Sequence, residues 1–456
     1  MAVYFALEAL ICKQWVSNVR LHVDDQGMIT KIEPETSIVS GDERLSGPVI
    51  PALGNCHSHA FQRLFSGLTE GFQSDSDSFW SWRERMYQLL QVLNPEHVGI
   101  ICRQLYIEML KAGYSRVGEF HYLHNQPDGT EYADQAEMSM QIMSAANDTG
   151  IGLTLLPVLY QYSGFGKQTA TESQRRFVYS DDRYLRLIEN IRNACEGSNV
   201  ICGAAPHSLR AVDAEAFSKL YSELPDNILT HIHIAEQLPE VEQCLSHSGF
   251  RPVEYLYEHL AVDDRWTLIH ATHITETEVA MIKSSAAVIG ICPTTEANLG
   301  DGLLPDSVFN RQTPCRWAIG SDSHISVDAI EELRWLEYGQ RLSSHRRAVI
   351  TSEQCRATGI ELWSNAVEGA AQSIAASAGL KVGEQADWIV LNPEHPSIAS
   401  LPAAYRMDAL IFSNRANGVI RDVYVSGRRL IKDGLHPLED KASLAYSRLV
   451  RELITS

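Results

Sequence analysis

No Cys-x-x-Cys pair occurs in the 456 residues, and the nine cysteines are odd in number. A thiolate zinc site and a disulfide framework are therefore not expected; reduced, mostly buried thiols and a cytoplasmic location are. No uninterrupted apolar run approaches the roughly 20 residues that span a bilayer. The opening segment MAVYFALEALICKQW lacks a basic start and carries Glu8 within its apolar part, so a secretory leader is not expected. Positive charge is scarce: 38 Lys and Arg stand against 57 Asp and Glu, a formal net charge of −19 with no long single-sign run. This balance argues against nucleic acid or an anionic membrane as partner. Internal repeats and low-complexity tracts are also missing.

What is present is an apolar fraction of 45%, enough for a large core. From residue 48 to about 325, short β-branched runs alternate with segments of helical periodicity. The runs are GPVIPALGN, YSRVGEF, GIGLTLLPVLY, NVICGAAPHS, NILTHIHIAE, RWTLIHATH, AAVIGICPTT and CRWAIGSDS. Each is almost continuously apolar, as strands covered on both faces are, so the expected class is α/β with a (β/α)8 TIM-like barrel. A doubly wound open sheet is the alternative. The two ends of the chain read instead as short strands with Asp, Gly and Asn turns, followed by a helix near DKASLAYSRLVREL. They predict a small β-sandwich of residues 1–47 and 378–456 beside a barrel of residues 48–377.

In a barrel of this kind chemistry gathers where strands end, so those ends carry the functional reading. The first run ends in His57 and His59, which share one strand face because they are two residues apart. The fifth ends in His231, His233 and Glu236, the sixth in His270 and His273, and the eighth in Asp322. Imidazoles joined by a carboxylate suit a divalent ion such as Zn²⁺, with Fe²⁺, Co²⁺ or Mn²⁺ as alternatives. A lone histidine at a strand end is more often a packed or surface residue; four such ends together are hard to assign to packing. By the same weighing, Glu236 has a competing role as a helix cap, His231 and His273 read as supporting residues, and Cys56 reads as packing. His121 and His324 have no assigned role.

The motifs H-S-H from His57, H-I-A-E from His233, H-A-T-H from His270 and G-S-D-S around Asp322 resemble the amidohydrolase superfamily, and within it the deaminase branch. The resemblance covers nearly the whole chain. It implies His57, His59, His233 and Asp322 as ligands of one metal ion, with Glu236, His270 and Asp322 handling protons. No lysine stands at a strand end, so a second, carbamate-bridged metal is not expected. Such an ion lowers the pKa of water from about 16 towards about 7, making hydroxide available at neutral pH for attack on an amidine-like carbon.

Arginines near a metal mouth in so acidic a chain suggest an anionic substrate, because guanidinium binds carboxylate through two parallel hydrogen bonds. Taken singly, each arginine is more often a surface ion pair. The blocks DSFWSWRE, EFHYLH, PHSLRAV and TEANLGDG resemble the members of the superfamily that hydrolyse N-formimino-L-glutamate to N-formyl-L-glutamate and ammonia in histidine breakdown. That resemblance implies Arg210 and Tyr122 at the amino-acid end of the substrate, Arg83 and His207 beside them, and Gln62 at the formimino group. The partner it implies is a small anion; a homodimer is expected because that is a common outcome for soluble enzymes of this size. Two other readings stand beside it: deamination of a purine or other aminoheterocycle by the same metal chemistry, and a non-catalytic barrel, which the retained ligand set disfavours.

Overall fold

The computed structural model describes residues 2–68, 70, 86–413 and 418–454. Parallel strands run through the middle of the chain: β1 (Leu53–Ser58), β2 (Tyr114–His121), β3 (Gly152–Leu159), β4 (Val200–Cys202, resumed at Ala205–Pro206), β5 (Thr230–Ile234), β6 (Trp266–His270), β7 (Val288–Ile291) and β8 (Arg316–Ile319). β1 to β4 pair in sequence, and so do β5 to β8. Isolated parallel bridges span both remaining seams: Ala204↔Thr230 and Ser208↔His233 between β4 and β5, and Ser58↔Asp322 between β1 and the residues after β8. This mixed α/β content with parallel sheets fits a TIM-like barrel.

Helices join the strands and cover them. The longest connection shows why they form: Pro95–Lys111 starts at Asn94, whose side chain accepts the His97 N–H, with proline at the first helical position where no N–H is required. It buries Val98, Ile101, Cys102, Leu105, Tyr106 and Met109, a three- and four-residue rhythm that lays one face on β1 and β2. Close approach of β8 to β1 depends on Gly320, where an added Cβ would lie 2.8 Å from His57 Cβ.

Two runs divide differently from the reading of the sequence. GPVIPALGN is shared between two sheets: Val49–Pro51 pairs with Trp388–Leu391, and only Leu53 onward forms β1. Ala52 turns the chain from one sheet to the other, a switch that continuous apolarity conceals. NVICGAAPHS breaks at Gly203, where a side chain would meet the Leu229 carbonyl at 2.8 Å.

The terminal segments meet in one eight-stranded sheet, with Ala2–Ile11 at its middle and Val49–Pro51 connecting it to Trp388–Leu391. Tyr4 is its aromatic centre, 5.0 Å from the Trp388 ring and 5.7 Å from Tyr424. The last helix, Glu439–Ile454, lies on Pro95–Lys111. Its Tyr446 hydroxyl donates to the Arg63 carbonyl at 3.0 Å, four residues past His59. Among the described residues no helix is long and apolar enough to cross a membrane.

Candidate metal centre

Four side chains named from the strand ends converge. His57 Nε2 lies 3.2 Å from His59 Nε2 and 3.1 Å from His233 Nε2, and His59 Nε2 lies 3.3 Å from His233 Nε2. Asp322 Oδ1 is 3.3 Å from both His57 Nε2 and His59 Nε2. Ligand atoms held about 2.0–2.2 Å from an ion at tetrahedral angles stand about 3.3–3.6 Å apart, so the spacing is that of a first coordination shell.

The hydrogen bonds behind the rings decide what faces inward. His59 Nδ1–H donates to the Phe120 carbonyl at 2.8 Å, and His233 Nδ1–H donates to the His207 carbonyl at 3.1 Å. With the proton held at Nδ1, each Nε2 presents a lone pair. Burial holds all three imidazoles below their ordinary pKa, that of His57 and His233 well below it, so they remain neutral. The His59 and His233 lone pairs and the Asp322 oxygen crowd one point at these distances, an arrangement that a cation between them stabilises. The donor set therefore fits a single divalent ion.

A second cluster flanks the first. His270 ends β6 with its Nε2 3.9 Å from Glu236 Oε1 and 4.0 Å from Asp322 Oδ2. Its Nδ1 lies 3.2 Å from Glu296 Oε1. Burial opposes a charge on this ring, yet the Glu236, Glu296 and Asp322 carboxylates outweigh it and lift His270 to about 10. Burial pushes the Glu236 carboxyl upward against the pull of His270. Glu240 receives the backbone N–H of Ala235 and of Glu236, both at 3.2 Å. Five non-glycine residues here adopt left-handed backbone: Ala235, His270, Ala271, Asp322 and His324, with φ between 45° and 66°. Such strain concentrated at strand ends is characteristic of functional sites.

A cavity opens over the cluster. Gln62, Tyr122, His207 and Arg210 line it beside His59, His233, Glu236, His270 and Asp322. Gln62 Nε2 donates to Tyr122 Oη at 3.0 Å, which leaves Gln62 Oε1 buried and without a partner among the described residues. Arg210 is buried, and although burial opposes its charge, Glu240 and Glu236 hold its pKa high. Arg83 lies outside the described residues.

Sequence reasoning passed over several participants. Met86, Tyr87, Tyr160, Phe177 and Leu299 also line the cavity. Glu296 stood in the quoted block TEANLGDG without a role, and Glu240 lies four residues past Glu236 in the first turn of helix Leu238–Ser248. Of the supporting histidines, His231 Nε2 donates to the Ser373 carbonyl at 3.0 Å and His273 N–H donates to the Ala235 carbonyl at 3.0 Å; His324, which has no role in the sequence reading, sits between Ser58 and Ser321. Cys56 packs in a small apolar cluster with Val288 and Ala318.

A TIM-like array of parallel strands whose ends bring three histidines and an aspartate to one point defines a class of metal-dependent hydrolases. The chain belongs to the amidohydrolase family, whose profile matches residues 49–430. It is 45% identical over 455 residues, 100% of each chain, to a formimidoylglutamate deiminase of Pseudomonas aeruginosa. Among solved structures it superposes on an amidohydrolase from Brucella melitensis with a TM-score of 0.93 and 41% identity, covering 100% of both chains. An adenosine deaminase from Xanthomonas campestris with bound zinc shares the fold at a TM-score of 0.82 and 18% identity, covering 100% of this chain and 99% of that one.

Proposed function

We propose that this chain hydrolyses N-formimino-L-glutamate: water adds to the formimino carbon, ammonia leaves, and N-formyl-L-glutamate remains. The observation that carries the reading is a buried guanidinium, Arg210, in the same cavity as the His₃Asp centre. A neutral aminoheterocycle needs no buried cation, whereas a dicarboxylate does. The full-length similarity to a formimidoylglutamate deiminase supports the same substrate.

His57, His59, His233 and Asp322 would hold one ion, proposed as Zn²⁺. A divalent ion held there supplies Lewis acidity that makes water a usable nucleophile near neutral pH. Asp322 keeps one carboxylate oxygen toward His270 and accepts the proton that the attacking water loses. His270, oriented by Glu296, donates from Nε2 to the oxygen as negative charge builds on it. Glu236 delivers a proton to the departing nitrogen, and its burial favours the protonated form that this step needs. Arg210 pairs with a substrate carboxylate, with Tyr122, His207 and Arg83 assisting, and Gln62 Oε1 accepts from a formimino N–H. The reading includes a closed (β/α)8 barrel over residues 48–377 and a terminal β-sandwich of residues 1–47 and 378–456. It also includes a homodimer, a common outcome for enzymes of this size, working in the reducing cytoplasm that nine unpaired cysteines suit.

Ammonia release from N-formimino-L-glutamate, N-formimino-L-aspartate and adenosine, with and without chelator, tests the proposal. Turnover of the glutamate compound that a chelator abolishes supports it; turnover of adenosine alone overturns it.

A further inference from the structure

Ser58 stands between His57 and His59, and strand alternation turns it to the opposite face of β1, toward helix Pro95–Lys111. Its hydroxyl donates to Glu119 Oε2 at 2.6 Å. Glu119 Oε1 receives the backbone N–H of Ala60 at 2.6 Å. One carboxylate on β2 therefore grips the residues on both sides of His59. Tyr106 reaches the same carboxylate from the helix, donating at 3.2 Å.

The chain of contacts continues to the fourth ligand. Because the single Ser58 hydroxyl proton goes to Glu119, Ser58 Oγ accepts from His324 Nε2, 3.2 Å away. A neutral ring that donates at Nε2 accepts at Nδ1, here from Ser321 Oγ at 3.0 Å. Ser321 Oγ in turn receives Asn55 Nδ2 at 2.6 Å. Ser321 and His324 flank Asp322, whose own backbone is tied to β1: Asp322 N–H donates to the His57 carbonyl at 3.0 Å, and His59 N–H donates to the Asp322 carbonyl at 3.1 Å. Glu119 takes no part in the substrate cavity and is fully buried, between a strand and its covering helix. A carboxyl buried there carries a desolvation cost that a leucine avoids.

We propose that Glu119, acting through Ser58 and His324, is a positioning residue that sets how tightly the His57–His59–His233–Asp322 centre holds its ion. The inference rests on the metal-centre reading above. The carboxylate and the serine hold the backbone on both sides of His59, and His324 carries the constraint across the seam to Asp322. Loosening any of these lets ligand atoms drift from the spacing that one ion requires.

The test is Zn²⁺ affinity measured on metal-stripped protein by competition with a chromophoric chelator, alongside thermal melts of each metal-free variant. Wild type binds one ion per chain. Ser58→Ala and Glu119→Gln bind it about 10- to 100-fold more weakly, the range typical of lost outer-sphere partners. Tyr106→Phe removes the helix's bond to Glu119 Oε2 but leaves the Ser58 and Ala60 bonds to that carboxylate in place, so it lowers the melting temperature and leaves affinity unchanged. A wild type that binds no ion refutes the metal-centre reading itself. A wild type that binds, with Ser58→Ala and Glu119→Gln equally tight or Tyr106→Phe equally weakened, refutes this inference alone. Should Glu119→Gln fail to fold, Ser58→Ala against Tyr106→Phe decides it.

Discussion

His270 and Glu296 form a buried pair across 26 residues of sequence, with Nδ1 3.2 Å from the carboxylate. The same Glu296 oxygen also receives the Cys292 N–H at 2.9 Å, so the acceptor cannot swing away. His270 itself has a left-handed backbone at φ 66°, and the pair holds its Nε2 toward Asp322 and Glu236.

Glu296→Gln keeps an acceptor for Nδ1 but removes the charge that favours the donating imidazolium. In the proposed mechanism His270 acts on the developing charge and not on the bound substrate, so kcat is expected to fall roughly 10- to 100-fold, a share of the usual acid–base contribution, with KM little changed. Steady-state kinetics on N-formimino-L-glutamate check this. Equal losses in KM and none in kcat would show that Glu296 serves substrate binding instead.

Arg210→Met tests the anion clamp. Hydrogen bonds to charged groups contribute about 1.5–3 kcal/mol each, so kcat/KM for the dicarboxylate should drop by about 100-fold or more. Turnover of a formimino compound without carboxylates should barely change. A uniform loss on both substrates would place Arg210 outside substrate recognition.

Chelation should lower stability as well as activity. An ion present at about 100 times its Kd adds about 2.7 kcal/mol to the native state, which appears as a fall in melting temperature on stripping and a return on readdition. His233→Ala, which removes one ligand, should abolish that metal-dependent gain. Identical melting curves with and without ion would count against the centre.

Glu119 supplies a pH signature. Burial raises its carboxyl from 4.5 to about 7, against the pull of Ala60, Ser58 and Tyr106. The native state thus holds this proton more tightly than the unfolded chain, so its contribution favours folding at low pH and is lost as pH rises through about 4.5 to 7. The loss is about 3 kcal/mol. Urea unfolding of metal-free protein at pH 5 and pH 8 should show that Glu119→Gln flattens this dependence relative to wild type. A variant whose slope matches wild type would remove Glu119 as its source.

Strand ends were legible because a ligand has to stand where the backbone stops: His57, His59, His233 and Asp322 each follow or close an apolar run, and the structure brings all four together. The partners behind them were not legible. Glu296 meets His270, and Glu119 meets Ser58 across 61 residues, only once neighbouring strands align, and no local pattern announces either pairing. The sharing of GPVIPALGN between two sheets was hidden for a similar reason, since Ile50 and Leu53 are both buried, each in a different sheet. Arg83 lies outside the described residues, so its place beside Arg210 stays a proposal.

The most direct measurement is ammonia release from N-formimino-L-glutamate by protein stripped of metal and then titrated with Zn²⁺. The account predicts no turnover in the stripped protein and full recovery at one equivalent per chain, with no recovery in His57→Ala. Undiminished turnover by the stripped protein would contradict it.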